Sequence, residues 1–179
     1  MSQSALHPLD VGVALHLVDA PVAASYAELG RALGLSTSTV HASVKRLTDA
    51  GLLRQGFDGE RAVNRHALLE FLTHGVRYAF PAVLGRPTRG VPTAHAGPAI
   101  GDRLVADEAI VWSAADGQSS GPALEPLLPK AAQIAPQQPR LYALLSAVDA
   151  LRVGRARERQ LAANFLSHAL RTSRTPDGS

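Results

Sequence analysis

The chain has 179 residues, 46 % of them hydrophobic and 18 % charged, with a formal net charge of +3, a composition that suits one or two soluble globular domains with a real core. It contains no cysteine, which excludes a disulfide framework, a thiolate metal site and a cysteine nucleophile. No window reaches the roughly 18 apolar residues of a membrane span, and the start of the chain has neither the basic residues nor the apolar run of a secretory signal. The expectation is a cytoplasmic protein without a membrane partner.

Taken in chain order, Leu9 to Ala20 reads as a first helix, with Leu9, Val13 and Leu17 on its apolar face and Pro21 ending it. Ser25 and Glu28 then form a capping-box pair, S-x-x-E, opening a second helix whose stripe is Leu29, Ala32 and Leu33. Gly34 stops it, because glycine takes the left-handed conformation that a helix end commonly needs. Ser36 caps a third helix, running to Gly51 with Val40, Val44 and Leu47 facing inward at i, i+4, i+7. Two short strands are expected over Leu52–Gln55 and Arg61–Asn64, joined by a turn at Gly56, Asp58 and Gly59. Arg65 to Gly75 returns to helical period.

The next stretch, residues 76–139, is broken by prolines and glycines, so no long helix fits. A strand is expected near Glu108–Ala114, while Arg77, Arg86 and Arg89 make residues 77–103 positive, with DNA, a partner subunit or a ligand as open alternatives. Residues 140–171 form the longest helical candidate. Leu141, Leu144, Leu145, Val148 and Leu151 share one face, Phe165 continues the stripe, and its phase drifts across Gly154. The polar tail at 172–179 is expected to fray. The predicted fold is mainly α with a small β component (α+β). It is divided into a helical N-terminal domain over residues 1–75, an irregular middle with short strands over 76–139, and a C-terminal helical dimerisation segment over 140–171.

Three helices followed by a hairpin give a winged helix-turn-helix, whose third helix, about residues 36–50, is expected in the major groove of double-stranded DNA. Thr37, Ser38 and Thr39 at its N-terminus suit phosphate contacts, where amides and helix dipole favour anions. His41, Lys45 and Arg46 extend that surface, and Arg54, Arg61 and Arg65 of the wing are candidates for phosphate or minor groove. Residues 1–75 nevertheless carry six Lys/Arg against seven Asp/Glu. Bulk charge therefore cannot hold DNA, and the placement of a few cations must.

The run AELGRALGLSTSTVHASVKRLTDAGLL resembles the helix-turn-helix of bacterial winged-helix transcription regulators of the MarR, GntR and IclR kind. Thr39-Val40, Lys45-Arg46-Leu47 and Ala50-Gly51-Leu52 carry the resemblance, which covers roughly residues 9–75. It implies a homodimeric, sequence-specific DNA-binding regulator; the middle and C-terminal parts do not match the ligand domains of GntR or IclR regulators, so no effector is implied. Leu141, Leu145, Val148, Arg155 and Phe165 are the residues expected to dimerise the protein. The arginines at 152, 155, 157 and 159 have three readings: a solvated face, a phosphate contact, or a register pin across a two-fold axis with Asp149 as partner, the last being preferred.

No catalytic constellation is present in the sequence. His66 and His74 lie too far apart on one helix to share a metal without outside ligands, and no nucleophile elbow or phosphate-binding glycine loop appears. The expectation is no enzyme, no metal and no cofactor. The competing reading is a winged-helix protein-interaction module, antitoxin-like or a scaffold partner, without sequence-specific DNA binding.

Overall fold

The computed structural model describes residues 5–104 and 108–171, so the tail expected to fray at 172–179 lies outside the described residues. The first helix, α1 (Pro8–Leu17), starts on a proline, whose missing amide costs nothing in a first turn. α2 (Tyr26–Leu33) opens as its sequence requires: Ser25 Oγ accepts the Glu28 amide at 3.2 Å, and the Glu28 carboxylate accepts the Ser25 amide at 2.7 Å. Gly34 ends α2 at φ +63°, and Ser36 caps α3 (Thr37–Asp49) by accepting the Thr39 amide at 3.1 Å. Strands β1 (Leu53–Gln55) and β2 (Arg61–Val63) pair antiparallel, Leu53 opposite Val63, with Gly59 at φ +76° in the turn. α4 (Arg65–His74), capped by Asn64, and the single turn α5 (Val76–Ala79) follow.

The middle of the chain holds more strand than its prolines suggest. β3 runs from Leu84 to Thr93 through Pro87 and Pro92, with an irregularity in its pairing between Leu84 and Pro87. Proline lacks an amide to donate and is tolerated where a ladder is interrupted. The first half of β3 pairs antiparallel with β5 (Ser119–Leu124), and its second half pairs antiparallel with β4 (Ile110–Ser113). β4 and β5 meet in parallel at Val111 and Ala123, so the three strands close on themselves. A side chain at Gly121 would run into the Ala109 carbonyl, and one at Gly90 into the Trp112 carbonyl. Such tight closure explains glycine at both positions.

After a turn of helix, α6 (Ala131–Ile134), the C-terminal helical stretch divides into α7 (Pro139–Val153) and α8 (Ala156–Arg171). The break falls at Gly154, where the apolar phase drifts. α8 starts cleanly because the Glu158 carboxylate accepts the Arg155 amide at 2.7 Å and Arg159 donates to the Gly154 carbonyl at 2.8 Å. One hydrophobic cluster runs from Val11 through Trp112 to Leu170, and α7 passes through its middle.

This position corrects two expectations. Leu141, Leu145 and Val148, expected on a dimer face, are 5 %, 4 % and 0 % exposed within the single chain, so their stripe is already used. Phe165 is half-buried against the same cluster, and Arg155 is the one member of that set left exposed. Asp149, expected to reach across a two-fold axis, instead accepts from Thr93 Oγ1 and Trp112 Nε1, each at 2.8 Å, and from Arg152 Nη1 at 2.7 Å. Burial pushes its carboxyl pKa up, and Arg152 with the two neutral donors opposes that push. Arg152 also donates to the Phe80 carbonyl at 2.9 Å. This buried group fastens the strands and the α5 segment to α7, all within one chain.

Candidate nucleic-acid interface

The free face of α3 is built by what its other face buries. Val40, Ser43, Val44 and Leu47 lie in the core, so a helix of this period turns Thr37, Ser38, His41 and Lys45 outward, and all four are exposed. At its N-terminus the hydroxyls form a small network: Ser36 Oγ lies 3.0 Å from Ser38 Oγ and 2.7 Å from Thr39 Oγ1. Thr39 is half-buried, held by this contact. Lys45 pairs with Asp49 at 2.6 Å one turn on, yet its side chain is 66 % exposed, and a solvated pair of this kind opens at little cost.

Arg46 is a correction. It points inward, where Nε and Nη2 each donate at 2.7 Å to the carboxylate of Asp10, in a bidentate pair whose side chains are only 10 % and 1 % exposed. Asp10 holds the Arg46 pKa above its ordinary value. Asp10 also accepts the His7 amide at 2.7 Å, so the pair ties the start of α1 to the end of α3. A guanidinium so engaged is a strut, not a reader of bases.

Two wing arginines, both half-buried, also make contacts within the chain. Arg61 donates to the Ala24 carbonyl and stacks 4.5 Å over the Tyr26 ring, whose edge contact with His41 is 5.2 Å between centroids. The wing, α2 and α3 are thereby linked through Arg61, Tyr26 and His41. Arg65 donates to the Leu170 carbonyl at 3.0 Å and to the Val18 carbonyl at 2.8 Å, pinning α4 to the ends of α8 and α1. Arg54 remains exposed on β1.

Arg31 on α2 is exposed as well, and no motif marks it in the sequence. The pairing of Asp10 with Arg46 is not legible there either, because the partners are 36 residues apart. Among the described residues no group of three or more His, Asp or Glu side chains gathers into a metal site, and no helix is long and apolar enough to cross a membrane.

Residues 6–62 match the model of the MarR family. No curated protein and no solved structure matches the chain. The match takes in α1, α2, α3, β1 and the start of β2 and leaves everything after residue 62 uncovered. Over these residues the chain is therefore similar to the MarR family, and its own elements there, three helices followed by a two-stranded hairpin, are those of a winged helix-turn-helix.

Proposed function

We propose that the protein binds double-stranded DNA sequence-specifically as a homodimer, in the cytoplasm, with α3 in the major groove. The exposed face of α3 carries this reading: small hydroxyl residues at the helix N-terminus, where amides attract phosphate, followed by His41 and Lys45 on the same side. Doubling matters because one such helix reads few base pairs, whereas two on a two-fold axis read half-sites about one helical turn apart. With the stripe of α7 enclosed, the dimer surface belongs to elements still exposed. Light scattering of the purified chain at several concentrations tests it, and a monomer throughout would remove that part of the reading.

The main test is selection of genomic fragments by the purified protein, followed by gel-shift titration of the enriched site at two salt concentrations. Lys45→Ala is expected to weaken binding across sequences and lower the salt slope by about 1, as loss of one phosphate contact does. Unchanged affinity in a folded variant would sink the placement of α3.

One observation favours a second reading. With Arg46, Arg61 and Arg65 turned to the protein, the exposed cations of residues 5–75 are Arg31, Lys45 and Arg54, against exposed Glu28, Asp49, Asp58, Glu60 and Glu70. Such a surface suits a winged helix that docks protein, and enrichment of no fragment in the selection would support it.

A further inference from the structure

The arginines around the break between α7 and α8 are not all spent on the fold. Arg152 closes on Asp149, but Arg155 and Arg157 are exposed and Arg159 is half-buried. Arg159 lines an open cleft of about 370 Å³, where α8 and the end of α7 meet the end of α4 and α5. α4 and α5 contribute His74, Arg77 and Tyr78, and no carboxylate lines the cleft. None of its residues belongs to α1, α2, α3 or the wing.

The positive surplus survives a count of the neighbours. Among the described residues the ion pairs take up Lys45, Arg46, Arg140 and Arg152, and none involves Arg77, Arg155 or Arg159. Arg77 makes no hydrogen bond among the described residues; its guanidinium lies over the Tyr78 ring, 5.3 Å from the centroid. Arg159 gives Nη1 to the Gly154 carbonyl and keeps its other N–H groups free. Two carboxylates lie near. Glu158 is turned to the start of α8, where it accepts the Arg155 amide at 2.7 Å. Glu70 lines the adjoining groove between α4 and α8, which Arg171 lines as well. Arg77, Arg155, Arg159 and Arg171 thus outnumber Glu158 and Glu70 two to one.

We propose that this cleft binds a small phosphorylated molecule, its phosphate held by Arg77 and Arg159 with His74 as a further donor, and its organic body against Tyr78. Guanidinium N–H forks match phosphate oxygens, and two of them in one cleft without a carboxylate offer more donors than a carboxylate ligand can use. Tyr78 sets an aromatic ring, 75 % exposed, beside that charge. A duplex backbone is served by cations spread along an outer face. Here both guanidinia are half-buried in a recess, of a volume in the range of small-ligand sites, which suits a group that enters it. The site stands or falls separately from DNA reading by α3.

Isothermal titration calorimetry of the full chain in low-salt buffer tests it, with phenyl phosphate, inorganic phosphate and benzoate as probes. Phenyl phosphate is expected to bind roughly tenfold more tightly than benzoate and several-fold more tightly than inorganic phosphate. Arg77→Gln and Arg159→Gln are each expected to weaken phenyl phosphate about tenfold. Tyr78→Ala is expected to weaken it several-fold and to leave inorganic phosphate unchanged. Arg157→Gln, outside the cleft, and Lys45→Ala, on α3, are expected to change nothing. Melting curves confirm folding, and Arg77, which bonds to no other element, keeps the test alive where Arg159→Gln does not fold. No binding of phenyl phosphate, equal binding of benzoate, or full retention in a folded Arg77→Gln would each overturn the proposal. So would an equal grip on inorganic phosphate, which means an adventitious ion only, or a loss in Arg157→Gln as large as in Arg77→Gln, which means diffuse charge. A random-sequence duplex weakened by Arg77→Gln, with phenyl phosphate unbound, would overturn it in favour of a nucleic-acid backbone.

Discussion

α3 and α7 look alike as sequence: each has an apolar stripe at helical period and arginine near its C-terminal end. In the folded chain they differ in how many sides are covered. α3 buries Val40, Val44 and Leu47 and leaves Thr37, Ser38, His41 and Lys45 in water, whereas α7 is buried at every residue from Leu144 to Leu151, Ser146 and Asp149 included. α7 is enclosed because α1, α5, α8 and β3 all pack against it. An apolar stripe shows only that one face is buried; the number of elements around the helix decides whether the other face stays free. Only α3 of the two keeps a surface with which to work. Their arginines, by contrast, do the same thing, Arg46 closing on Asp10 and Arg152 on Asp149.

The strongest way to break this comparison is to remove α7. A chain ending at Gln138 loses the helix at the centre of the core, and no cooperative thermal transition is expected by circular dichroism. A folded monomer from that truncation would return α7 to the role of a dimer element. The next largest effect separates two charged residues of α3. Asp10→Ala leaves the Arg46 guanidinium buried without its partner and is expected to cost about 3–5 kcal/mol. Lys45→Ala, which breaks only a solvated pair, is expected to change stability by less than about 0.5 kcal/mol. Urea denaturation measures both, and equal costs would mean that Arg46 is no strut.

What was legible in the sequence was whatever short-range chemistry decides. Ser25 with Glu28, Gly34 and Ser36 each act within a few residues, and they place α2, the turn and α3 where the chain has them. The hairpin is similarly local, because the Asp58-Gly59 turn sets its register. The outward set on α3 follows from the period of Val40, Val44 and Leu47. What stayed hidden depends on distant partners. Pro87 and Pro92 look like breakers until β4 and β5 supply a closed set of strands that tolerates them. Arg46, Arg61 and Arg65 read as DNA contacts because nothing nearby in sequence announces Asp10, Tyr26 or the carbonyls of Val18 and Leu170.

A smaller effect sharpens the account of how α3 is held. Ser36→Ala removes the acceptor for the Thr39 amide and the centre of the hydroxyl network, and a cost of about 1 kcal/mol is expected. A thermal melt of the variant measures it, and no loss would mean that Ser38 or water replaces the cap.

The smallest effect concerns the side of α1 that faces α7. His16 contacts Gln138, and burial lowers its pKa from the ordinary 6.5, with the Gln138 hydrogen bond and Asp19 opposing. In the unfolded chain the imidazole titrates normally, so between the folded and unfolded values the unfolded state binds more protons. Stability from the neutral ring is therefore complete above about pH 6.5 and is lost as pH falls below it. Because the ring is only partly buried, the loss is modest. Melting temperatures taken from pH 7.5 down to pH 5.5 are expected to fall more steeply for the wild type than for His16→Gln, whose amide keeps a hydrogen bond to Gln138 without titrating. Parallel curves for the two proteins would show that acid acts elsewhere, and that the contact between α1 and α7 is indifferent to the protonation of His16.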